Sequence, residues 1–133
     1  MDITVYGGTA NQRRYAHSMA IFVCEKFGIS PSIEISFRRM TNDPNYGYAC
    51  QLEGNEYEID VKRTLDMRTM LTTLAHELIH VKQYQQGELT QDNEQGIDYW
   101  DRPSEIEAHG RETGLFIRWC EQERLGHLKW TRE

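Results

Sequence analysis

The sequence predicts an α+β fold: a small, twisted, mainly antiparallel sheet packed with an N-terminal helix, a central helix and a C-terminal helix. Three observations predict it. Short segments alternating apolar and polar residues crowd the first half of the chain, whereas segments with a three-to-four-residue apolar period dominate the second. Strands and helices are thus largely segregated along the chain, the pattern of α+β rather than of alternating βαβ units. The length of 133 residues suits one domain, 1–133, with one modest core.

Ile3–Tyr6 reads as a short strand ending at Gly7-Gly8. Residues 11–27 form an amphipathic helix, with Ala16, Met19, Ala20, Val23 and Phe27 on its apolar stripe and Gly28 as its stop. His17 lies in this helix and reads as a surface residue. From Ser32 to Arg38, Ile33, Ile35 and Phe37 alternate with Glu34, Ser36 and Arg38, which is a half-buried strand. After a turn-rich connection containing Asp43-Pro44, Tyr46, Tyr48, Cys50 and Leu52 alternate, as do Tyr57, Ile59 and Val61. Glu53-Gly54-Asn55-Glu56 between them reads as a hairpin turn. The tyrosines here are expected to pack across strands.

Residues 68–86 repeat Met70, Leu71, Leu74, Leu78 and Val81 at helical spacing and are followed by Gly87, a suitable left-handed C-terminal stop. Inside this helix stands His76-Glu77-Leu78-Ile79-His80. Two His at i and i+4 share a helix face, so their rings can converge on one Zn²⁺, while Glu77 reaches a metal-bound water. Residues 87–102 form the longest irregular stretch, rich in acids and carrying Tyr99 and Trp100. A last helix starts near Glu105, with Ser104 as cap and Glu107 completing a capping box, and runs to about Leu125 with Gly126 as its stop.

A catalytic zinc needs a third protein ligand. Glu105 and His109 are i and i+4 on the last helix and share a face. Glu105 is the preferred ligand, with His109 holding a ligand His from behind; the reverse assignment stays open.

These residues resemble the zincin metallopeptidases, and more narrowly the gluzincin group with its small minimal-zincin proteins of bacteria and phages. In several gluzincins a second helix carries E-x-x-A followed by Asp or Asn. Glu105-Ile106-Glu107-Ala108-His109 matches that pattern at Glu105 and Ala108 and departs from it at His109. The resemblance implies a zincin-like fold and peptide hydrolysis. It implies further one zinc per chain held by His76, His80 and Glu105, with Glu77 assisting attack of zinc-bound water on a peptide or protein substrate. Tyr84, His109, Tyr99 and Arg102 are the candidate donors to the oxygen that gains charge in the transition state. The alternative is a non-catalytic, zinc-stabilised interaction module.

The net charge of −6 argues against a general electrostatic grip on nucleic acid, and so against a nucleic-acid hydrolase. The three scattered Cys suggest no disulfide framework and favour a reducing cytoplasm, of a bacterial or phage-infected cell if the resemblance holds. Neither a membrane span nor a secretory leader is expected.

Overall fold

The computed structural model describes residues 1–132. Strand β1 (Asp2–Tyr6) leads through helix α1 (Ala10–Phe27) to β2 (Ser32–Arg38), then β3 (Gly47–Gln51), β4 (Glu56–Lys62), α2 (Met67–Gln85) and α3 (Pro103–Gln122). Short 3₁₀ turns occupy Tyr99–Asp101 and Lys129–Thr131. The α+β class is therefore as the sequence predicts.

The sheet is not mainly antiparallel. Its order is β1-β2-β4-β3, and β1/β2 and β2/β4 both run parallel. Only the β3/β4 hairpin is antiparallel. The reason lies in the connections. Helix α1 carries the chain back between β1 and β2, as a parallel pair requires. The hairpin then turns so that its second strand, β4, docks on β2 and leaves β3 at the edge. Alternation reports which face a residue takes, not strand direction.

Ile33, Ile35 and Phe37 of β2 and Tyr57, Ile59 and Val61 of β4 are buried under α1 and α2, and α3 packs on α2. The opposite sheet face carries the exposed Glu34, Arg38 and Glu58. On β3 and at its two ends the aromatic and apolar set turns outward: Tyr48 and the flanking Tyr46 and Leu52 are exposed. The inward positions are Gly47, Ala49 and Gln51. Gly47 is needed there because a Cβ would lie 2.9 Å from both Asp60 O and Thr73 Cγ2 and 3.4 Å from Glu77 Cγ. The absent side chain thus lets the edge strand ride directly over α2.

Helix ends follow local chemistry. Thr9 and Gln12 form a capping box on α1, and Gly28 ends it at φ 65°. Asp66 caps α2 through Thr69 N, and Gly87 follows its end at φ 73°. Helix α3 departs from expectation at both ends. Arg102 is its N-cap and Pro103 takes the first turn, where a missing N–H costs nothing. Ser104 instead gives its N–H and hydroxyl to Glu94, and Glu107 is drawn to Lys82 and Gln83. At the other end the helix stops at Gln122, before Gly126; Arg124 adopts φ 58° and Leu125 N returns to Cys120 O at 3.0 Å. The run is unbroken through Gly110 and Gly114. Among the described residues no helix is long and apolar enough to cross a membrane.

Candidate metal centre

Helix α2 is apolar on the faces it turns to the sheet and to α1, and buried residues run without interruption from Leu74 to Gln83. Of its polar residues in that stretch, His76, Glu77 and His80 lie along the seam with α3 and beneath β3, and Lys82 and Gln83 follow one turn on. Across the seam, α3 presents Glu105, His109 and Glu112 at i, i+4 and i+7, one stripe of its surface.

The two helices meet through Glu105. His76 Nε2 lies 2.9 Å from Glu105 Oε1, and His80 Nε2 lies 3.1 Å from Oε2. The other ring nitrogens face acceptors. His76 Nδ1 is 2.9 Å from Glu112 Oε1, and His80 Nδ1 is 2.8 Å from Gln83 Oε1. Burial disfavours charge on both rings, but the hydrogen bonds His76 donates to Glu105 and Glu112 outweigh it and carry His76 up to about 10. His80 is raised on the same balance of burial against Glu105. Burial likewise opposes ionisation of Glu105, yet the two His and Tyr99 hold its carboxyl well below the usual range. Glu105 thus holds both rings towards their charged form, one on each carboxylate oxygen.

Glu77 is buried and lines a hollow with Thr73 and His76 rather than meeting an ion-pair partner. Desolvation pushes its carboxyl pKa up, against the neighbouring His charges. Tyr99 donates to Glu105 Oε1 at 2.9 Å and also meets His109 Nε2 at 2.9 Å, while His109 Nδ1 is 3.0 Å from Glu112 Oε1. These contacts close a ring: His76, Glu105, Tyr99, His109, Glu112 and back to His76. Burial and the bond to Glu105 raise the Tyr99 pKa, so its hydroxyl remains a donor.

His76, Glu105 and His109 also form a group able to hold a metal, with ligand atoms within 4.8 Å of one another. Two overlapping sets therefore share His76 and Glu105. His80 lies outside that group but meets Glu105 through the other carboxylate oxygen with a buried ring, whereas His109, the group's third member, is more exposed and also contacts Glu112 and Tyr99.

Hollows flank the centre on either side. One, of about 440 Å³, has His76, Glu77, Thr73 and Glu112 at its floor and Tyr46, Tyr99 and Trp100 at its rims. The other, of about 290 Å³, is bordered by His80, Glu105, Tyr84, Glu94 and Arg102. Strand β3 borders both, through Gly47 and Ala49. Of the expected donors, only Tyr99 and His109 touch the centre. Tyr84 packs on Tyr57 with ring centroids 6.0 Å apart, and Arg102 gives its Nε–H to Ile97 O.

Sequence reasoning missed Glu112 and Gln83. Glu112 takes the position behind His76 expected of His109, one turn further along α3. Gln83 takes the equivalent place behind His80. Their spacings, i+7 from Glu105 and i+3 from His80, were the available signals. Set against protein-family models, curated proteins and solved structures, the chain matches none.

Proposed function

We propose that the protein is a zinc metallopeptidase, of the type its H-E-x-x-H motif resembles. The observation that carries this is the meeting of His76 Nε2 and His80 Nε2 on the two oxygens of Glu105, with Glu77 buried next to them at the floor of a hollow. His76, His80 and Glu105 would hold the ion. Zinc, when bound, supplies a Lewis acid that polarises a carbonyl and makes water acidic. Glu77 takes the proton from the attacking water and passes it to the leaving amine. Its desolvated setting suits that task, because a raised carboxyl pKa lies closer to working pH. Tyr99 is the donor for the carbonyl oxygen, held protonated in contact with Glu105. An extended peptide pairs with the free edge of β3, which reaches from one hollow to the other.

Metal analysis and cleavage of an unstructured polypeptide test the reading. The purified chain should carry about one zinc. His76→Ala or His80→Ala should lose it, and Glu77→Gln should keep it but lose cleavage. Full cleavage by Glu77→Gln would end the proposal.

The proximity of His109 favours a second reading, a closed site in which the metal only ties α2 to α3. X-ray absorption on the zinc-loaded protein separates the two: four protein ligands and no water would mark a closed site.

A further inference from the structure

We infer that Gln83 is a positioning residue for the metal centre: its side-chain amide holds His80 in the tautomer that offers Nε2 to a metal. The inference rests on the metal-binding reading above, and it adds a residue outside the motif.

The argument is one of donors and acceptors. Gln83 is 1% exposed, so water does not satisfy its amide. Its Nε2 lies 2.9 Å from Ser104 O and 2.9 Å from Glu107 Oε1. Both partners are acceptors, and together they use both amide protons. Reversing the amide would set an oxygen against a carbonyl and a carboxylate, so the orientation is forced. Oε1 then faces His80 Nδ1 at 2.8 Å and can only accept. A neutral His80 must therefore carry its proton on Nδ1, which leaves Nε2, the nitrogen beside Glu105, free to bind a metal.

The clamp is itself clamped. Glu107 is held by Lys82 Nζ at 2.7 Å and Arg111 Nε at 2.8 Å. The backbone carbonyl of Gln83 accepts from Glu88 N at 2.8 Å and Leu89 N at 3.2 Å. Gln83 is therefore fixed by α3 and by the loop after α2 independently of any ion, and the direction of His80 is set before metal arrives. The two ligand His are supported differently: His76 by a carboxylate, Glu112, and His80 by a neutral amide.

Gln83→Met tests this, since it keeps length and volume but removes the acceptor. Zinc affinity, read by chelator competition, should fall about 10- to 100-fold. Gln85→Met is the control: Gln85 bonds Tyr57 OH, away from the centre, and its loss should leave zinc affinity unchanged. Equal affinity of Gln83→Met and the unaltered chain would overturn the inference while leaving the metal reading intact. A second measurement needs no variant. In the zinc-loaded protein, nitrogen-15 spectra should show a slowly exchanging His80 Nδ1–H; its absence, or metal on Nδ1, would overturn the inference. If the unaltered chain binds no zinc, both this inference and the reading beneath it fail.

Discussion

Glu112 reaches across the helix seam to His76, Oε1 to Nδ1, at 2.9 Å, and with the same oxygen meets His109 Nδ1 at 3.0 Å. One carboxylate thus orients a proposed ligand and the neighbouring ring at once. Glu112→Ala should lower zinc affinity about 10- to 100-fold, while Glu112→Gln, which still offers an oxygen, should lose less. Chelator competition on the three proteins checks the order.

Tyr99 gives a kinetic prediction. Its hydroxyl contacts the centre without belonging to the donor set. Tyr99→Phe should keep zinc and substrate affinity but lower kcat about 10²- to 10³-fold. A fall in KM-dependent binding with kcat unchanged would assign Tyr99 to substrate holding instead.

Gly47 gives a stability prediction. A methyl group there would sit 2.9 Å from Thr73 Cγ2 and from Asp60 O, the second of which is backbone and cannot turn away. Gly47→Ala should destabilise the fold by about 1–3 kcal/mol through overpacking, read as a lower urea midpoint with an unchanged slope. Because the same atoms lie over Glu77, activity should fall more than stability alone explains.

The thiols give a pH prediction. Burial pushes the Cys24 thiol up from 9.0 to about 12 and the Cys120 thiol from 9.0 to about 11. Both stay protonated in the folded chain while the unfolded chain ionises near its ordinary value. Their contribution to stability is therefore full below pH 9.0 and is lost as pH rises from there towards about 12. Denaturant titrations across that range should show the decline. At neutral pH a maleimide should label the exposed Cys50 and leave the other two unlabelled until the chain unfolds.

Much of this was legible from residue types, for a physical reason in each case. Strand β2 has the limits its alternation predicts, Ser32 to Arg38, because one buried face imposes a period of two. Helix α2 lies within one residue of expectation at each end, because apolar period and Gly87 agree. What was not legible depends on which element becomes whose neighbour. Strand direction was set by the docking of β4 on β2. Ser104 and Glu107 look like a cap in sequence, but Glu94 and the Lys82–Gln83 pair compete for them once α3 crosses α2. Glu112 and Gln83 were hidden on the same ground: spacing puts them on the right helix faces, but each is an ordinary polar helix residue until a His ring stands opposite it.

The outer face of the sheet has a consequence for behaviour in solution. Parallel strands usually lie between two helical layers, but here one side is bare, and in register along it Glu34 stands beside Glu58 and Ser36 beside Asp60. A bare sheet invites a second sheet to stack on it. With the chain's net charge of −6, the carboxylates Glu34 and Glu58 on this face oppose that stacking, while Arg38 pairs with Asp60 beside them. Colloidal stability should therefore weaken with added salt, which shortens the reach of the repulsion, and with acid, which discharges the carboxylates.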